Sequence, residues 1–273
     1  FGTLIFSVML GVTYPLIYEF LFDQKISVGA PFYNAIFIPI VVLASFFLFF
    51  SVDSKWSRKI NFKFFKTPIF LSLFFSIITV IYISDRFNSN NLAILISIFA
   101  GTIIIFRYIY ELLDSLLNKK YINPFSVMAH MALGLLLVSI SFNSLLSTER
   151  AINIKINEYE EYKGLNIYFD DIRVLKNSNN DSIKATFFIE DARGKKFNLS
   201  PEKRRYFTRG QITTETAIHI MPLKDIYMTI GDQLDDGSWI VNIQINYLIR
   251  FIWFSAALMA FAGIMLIFSK RRA

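Results

Sequence analysis

Six stretches of this chain are apolar for longer than a globular interior allows, and one long stretch before the last of them alternates instead. A membrane-spanning helix needs about 20 mostly apolar residues. The runs Phe1–Phe22, Phe32–Phe50, Pro68–Ile83, Leu92–Leu113, Pro124–Leu145 and Tyr247–Phe268 meet or approach that length, the third being the shortest. Pro68 and Pro124 fit the first helical turn, where a missing N–H costs nothing, and Asn123 is placed to cap the fifth helix. Between Ser147 and Asn246 the pattern changes to period two, as in Ile152-Asn153-Ile154-Lys155-Ile156, Ile183-Lys184-Ala185-Thr186-Phe187 and Ile240-Val241-Asn242-Ile243-Gln244-Ile245. Such alternation reads as half-buried strands. The polar clusters Lys176–Asp181, Asp191–Lys195 and Asp232–Ser238 read as the turns between them. The expected protein is a polytopic α-helical membrane protein of about six transmembrane helices. A small extracytoplasmic β domain is inserted before the last helix. The expected domains are residues 1–146 for helices one to five, 147–246 for the β domain, and 247–273 for the last helix and a basic tail.

Composition agrees with this division. The chain is 54% apolar with 30 phenylalanines, above the 45–50% usual in soluble domains. That excludes a cytosolic enzyme, a secreted disulfide module and a disordered tail. With no cysteine, disulfides, thiolate metal sites and covalent haem attachment to this chain are excluded. The two histidines, His130 and His219, are too few for a zinc site built on a histidine cluster.

The net charge of +7 invites a nucleic-acid reading, and its distribution rejects it. Residues 149–250 carry 15 basic and 15 acidic side chains, so the excess lies entirely beside the apolar runs. Lys55, Arg58, Lys59, Lys63, Lys66, Arg107, Lys119, Lys120, Lys270, Arg271 and Arg272 lie toward one side, against Lys25 and Arg86 in the short loops of the other. Positive charge marks the cytoplasmic (or matrix) side, so the β domain is expected outside. Phe1 already stands in an apolar run without a charged flank or cleavage signal, and the chain is expected to begin partway through a larger protein.

No phosphate-binding glycine loop, nucleophile elbow or metal-spaced carboxylate cluster occurs. His130 is the sharpest candidate. Six residues after Pro124, it lies roughly 9 Å into the helix. An ionisable side chain there faces a protein interior or a cofactor. Gly134, one turn on, offers room for a flat ligand. A neutral imidazole hydrogen-bonded to a neighbouring helix fits equally well, and the residues alone leave both readings open. Arg107, at similar depth, suits an i,i+4 pair with Glu111 and a guanidinium snorkelling to water. Its other reading is a partner for an anionic group such as a propionate beside His130. Glu19 sits near the end of the first span, where snorkelling is the default. His219 reads as a surface or half-buried residue, and Lys203-Arg204-Arg205 as a solvated basic hairpin.

One family carries these features in this order. Lys25-Ile26-Ser27-Val28-Gly29-Ala30-Pro31-Phe32-Tyr33-Asn34 follows the first span, and Ala129-His130 opens the fifth. Pro201-Glu202-Lys203-Arg204-Arg205-Tyr206, Thr214-Glu215, Ala217-Ile218, Asp225-Ile226-Tyr227, Gly231 and Trp239 mark the outer domain, and Trp253 the last helix. From end to end the chain resembles the C-terminal portion of the CcmF family, the haem lyase subunits of cytochrome c maturation. The resemblance implies a place in the bacterial or mitochondrial inner membrane. It implies haem received from a CcmE-type haem chaperone, cooperation with CcmH, and attachment of haem to apocytochrome c thiols. It also implies a b-type haem held between two transmembrane histidines, with His130 at the second position. Several family features are missing here: the tryptophan-rich outer segment, its two flanking histidines and the first transmembrane histidine. Ala132 stands where relatives often have glycine, and His219 matches no ligand position. The chain is therefore expected to be a fragment or a split-gene product that works with a missing N-terminal portion, without a complete active site of its own. The competing reading is a non-catalytic assembly or sensing protein whose β domain binds a partner.

Overall fold

The computed structural model describes residues 2–51, 62–119, 121–208 and 210–269. The bases Lys55, Arg58, Lys59, Lys120, Lys270, Arg271 and Arg272, on which much of the expected orientation rests, lie outside the described residues. The chain divides into two compact units, Phe1–Ser141 with Phe251–Ala273, and Phe142–Arg250.

The first unit is helical. It contains α1 (Gly2–Phe22), α2 (Ala30–Ser51), α3 (Phe62–Phe87), α4 (Leu92–Asn118), most of α5 (Pro124–Leu146) and most of α6 (Ile249–Ser269). All six are long and apolar enough to cross a membrane, and the protein is a multi-pass membrane protein. The side chains sort as lipid demands. Large residues such as Phe6, Phe20, Leu43, Phe70 and Trp253 point outward. The buried positions include Ser7, Gly11, Ser45, Ser72, Ser76, Ala132 and Ser255. Lipid tails are as apolar as leucine, so helices associate where small residues let their backbones approach. Ser72 and Thr102 donate their hydroxyls to the carbonyls of Pro68 and Ile98, one turn back, and so cross the apolar layer satisfied.

The helix ends differ from the sequence expectation in instructive places. α3 begins at Phe62, so Pro68 lies inside it instead of in its first turn. The α4 helix runs on past Leu113 to Asn118, because the amphipathic turn Asp114–Asn118 continues the helix beyond the apolar run. It ends at Lys119, left-handed at φ 51°. Asn123 caps α5 as expected, its Oδ1 accepting from the N–H groups of Phe125 and Ser126 at 3.0 and 3.3 Å. Asn91 does the same for α4.

The second unit is a β-sandwich with ten antiparallel strands among the described residues. They are β1 (Thr148–Ile154), β2 (Tyr159–Tyr162), β3 (Leu165–Lys176), β4 (Asn180–Asp191), β5 (Lys196–Leu199), β6 (Glu202–Tyr206), β7 (Ile212–Glu215), β8 (Ala217–Ile220), β9 (Lys224–Gln233) and β10 (Trp239–Tyr247). One sheet has the order β1-β10-β9-β8, the other β2-β3-β4-β6-β7, with β5 also paired to β4. Alternate residues of both sheets enter a single core: Ile152 and Ile154 from β1, Ile167 and Phe169 from β3, Phe187 and Ile189 from β4, Met228 from β9 and Ile243 from β10. This is the two-layer solution for sheets with one apolar face. The turns are built by their own carboxylates. Asp191 Oδ1 accepts from the N–H groups of Arg193 and Lys195, each at 2.9 Å, and Asp236 Oδ1 accepts from the N–H of Ser238 at 3.0 Å.

A pair of helices around His130

The candidate site lies where α4 meets α5. His130 is half-buried in α5 and its ring stacks on Tyr108 of α4, with centroids 4.8 Å apart and planes 14° apart. Its buried Nδ1 has no hydrogen-bond partner among the described residues. Among the described residues no hydrogen bond to a neighbouring helix holds the imidazole; a ring packs against it.

The approach of the two helices is set by glycine. A Cβ added at Gly101 would stand 2.8 Å from the Gly134 carbonyl oxygen, and one at Gly134 would stand 2.8 Å from the Gly101 carbonyl oxygen and 2.7 Å from Ile105 Cγ1. Gly134 therefore does not leave room for a flat ligand, as the sequence suggested. Its missing side chain is filled by α4. We predict that Gly134→Leu forces α4 and α5 apart, costing about 1–3 kcal/mol as overpacking. Because a Cβ at Gly263 meets nothing within 4 Å, Gly263→Leu serves as the control. Equal melting temperatures for the two variants in detergent would refute the packing argument.

Arg107 precedes Tyr108 on α4 and is fully buried. Its Nη1 donates to Glu111 Oε2 at 3.3 Å, the i,i+4 pair expected from sequence, but the head is enclosed instead of reaching water. Thus one turn of α4 brings a guanidinium and the ring that stacks on His130 to the same level of the helix pair. Sequence reasoning gave His130, Arg107 and Glu111; it missed Tyr108 and Gly101. Two small residues on consecutive spans are the one signal that would have paired them.

The other candidates fall elsewhere. Glu19 forms an exposed ion pair with Lys25, 3.8 Å apart. His219 lies in β8, half-buried, its ring stacked on Phe197 at 3.7 Å with an 8° interplanar angle. Burial holds its imidazole pKa below the ordinary value, and the charge of Lys195 adds to that. Lys203, Arg204 and Arg205 are not a turn but the centre of β6, and Arg204 is spent on Glu202 at 2.9 Å and Glu215 at 3.5 Å. Among the described residues no group of three histidines or carboxylates is arranged to hold a metal ion.

Known proteins resemble the chain throughout. Residues 145–246 match the family described as the CcmF C-terminal beta-sandwich. The cytochrome c-type biogenesis protein CcmF of Pseudomonas fluorescens is 24% identical over 97% of this chain and 41% of its own length. CcmF of Escherichia coli K12 is 25% identical over the same shares, 97% and 41%. NrfE of Haemophilus influenzae, another cytochrome c-type biogenesis protein, is 24% identical over 97% and 42%. The chain thus spans about two-fifths of the length of these relatives. A solved structure of the cytochrome c haem lyase CcmF superposes with a TM-score of 0.69 over 96% of this chain and 43% of that one, at 15% identity, which is a likeness of fold. The sandwich, the spans before it and the share of each relative covered agree: the chain is similar along nearly its whole length to the C-terminal portion of CcmF cytochrome c-type biogenesis proteins.

Proposed function

We propose that this chain is the C-terminal part of a haem lyase subunit and that His130 is one axial ligand of a b-type haem within the membrane. The observation that carries the reading is the state of the imidazole. The ring interacts with the Ser126 backbone on its own helix, yet its buried Nδ1 meets no hydrogen-bond partner among the described residues, an orphaned polar atom that calls for a group from outside this chain. No other described residue hydrogen-bonds the ring, and Tyr108 limits its rotation. The donor chemistry fits haem iron, which takes neutral imidazole readily. When bound, such a haem supplies a one-electron carrier.

This chain's residues would orient and enclose the group. His130 supplies the nitrogen, Tyr108 holds the ring plane, and Arg107 offers a buried guanidinium able to share its donors between Glu111 and a propionate. A second protein ligand would be supplied by the N-terminal portion of the relatives' length, since the chain's other histidine, His219, lies in β8. In this reading the protein sits in a bacterial or mitochondrial inner membrane. It works there with a CcmE-type chaperone, CcmH and apocytochrome c, with the β-sandwich on the outer side.

Two measurements test this. The chain co-purified with the missing portion should give a reduced-minus-oxidised spectrum with b-type bands, and their absence would leave an assembly or sensing role. The domain division and orientation, with 147–246 outside, rest on 11 bases on one side against two on the other. A phosphatase reporter, active only outside, should work when inserted after Asn179 and be silent after Lys59. The reverse result would overturn the orientation.

A further inference from the structure

We propose that the β-sandwich carries a site for the phosphate headgroup of an anionic phospholipid, built from Lys163, Arg193 and Lys224. These three side chains line a cleft of about 330 Å³ together with Met221, Pro222, Leu223 and Tyr247. The proposal does not depend on the haem reading.

Position supplies the first argument. The N–H of Leu248 donates to the carbonyl of Leu223 at 2.9 Å. Leu248 directly precedes α6, whose span begins at Ile249. Leu223 is therefore pinned one residue from the start of a membrane helix. The headgroup layer adds about 5–8 Å on each side of the hydrocarbon core, so this wall of the cleft lies at headgroup level. Lipid is the neighbour always present there.

Charge supplies the second. Among the described residues Lys163, Arg193 and Lys224 form no ion pair, although other bases of the sandwich do, Lys196 with Glu190 and Arg173 with Asp171. The carboxylate in the cleft, Asp191, is committed to the N–H groups of its own turn. Asp225, next along β9, pairs with Arg250 at 3.3 Å. The cleft is left with three cations facing one anion that the fold already uses.

Apolar surface supplies the third. Leu223 is 60% exposed, and Ile220 and Ile218 on the preceding strand are 58% and 48% exposed. Cations beside exposed aliphatic side chains, with a tyrosine at the edge, are what an interface between headgroups and acyl chains recognises. A soluble anion would use the cations and leave the leucine and isoleucines unexplained.

The test places the full chain in nanodiscs of phosphatidylcholine, with or without phosphatidylglycerol, and follows amide exchange at residues 191–195 and 221–225. Phosphatidylglycerol should protect both segments. The triple variant Lys163→Gln, Arg193→Gln, Lys224→Gln should need at least about tenfold more of that lipid for the same protection. Exchange in β3 and β4 reports whether the variant keeps its fold; if it does not, Lys163→Gln alone, at an exposed position, decides by the same criterion. Inorganic phosphate added to phosphatidylcholine discs should protect neither segment. Equal protection in both lipids, indifference to the substitutions, or protection by free phosphate would each overturn the assignment.

Discussion

Replacing His130 with alanine is expected to remove nearly all b-type absorbance from the chain assembled with its N-terminal counterpart, while the assembly itself survives. Both halves of that result follow from the geometry. In the proposed reading the imidazole is this chain's ligand to the iron, so its loss would delete that bond outright. Its structural work is smaller. A stacked aromatic pair contributes about 0.5–1.5 kcal/mol beyond its burial, and the helices are held independently by the backbone approach at Gly101 and Gly134. Tyr108→Phe keeps the stack and should keep the bands. His219→Ala, in β8, should leave them unchanged. Full retention of the bands in His130→Ala would make the imidazole a packing residue and end the haem assignment for this chain.

The contrast between what was readable around His130 and what was not has a physical basis. Arg107 and Glu111 are four apart on one helix, and that spacing alone puts them together. The stack of Tyr108 on His130 joins two helices, and no spacing within either one specifies which residues of the other it will meet. That pairing is fixed by where the glycines meet, which is a tertiary fact. The sandwich behaves in the same way. Its long strands β3, β4, β9 and β10 announce themselves by alternation, since each buries every second residue. The short strands β2, β5, β7 and β8, of four residues each, lack room for a periodic signal and form because a longer neighbour offers hydrogen bonds. Even a legible strand misleads at its end. The alternation through Ile156 continues past the last residue of β1, because Asn157 takes φ 67° and turns the chain, leaving Ile156 exposed.

The second large effect is expected in the sandwich core, where Phe187→Ala should destabilise the β unit by about 3–5 kcal/mol. Phe187 is wholly buried, faces Phe169 across the β3–β4 register and stacks on it with centroids 4.4 Å apart. The ring therefore sits where the central pair of the larger sheet meets the residues of β9 and β10. A unit of this size has about 5–15 kcal/mol in total, so the variant should be marginal at body temperature. Urea at concentrations that leave membrane helices intact, read by pulse proteolysis within 142–250, should place its midpoint about 1–5 M lower. Phe188→Ala, the next residue, removes the same ring from the opposite face of β4, where it is half-exposed. That loss should stay within about 0.5 kcal/mol. Phe187→Leu, which keeps most of the volume, should cost less than about 1.5 kcal/mol. If Phe187→Ala and Phe188→Ala moved the midpoint equally, the inward and outward faces of β4 would be wrongly assigned, and with them the register that sets Phe169 against Phe187.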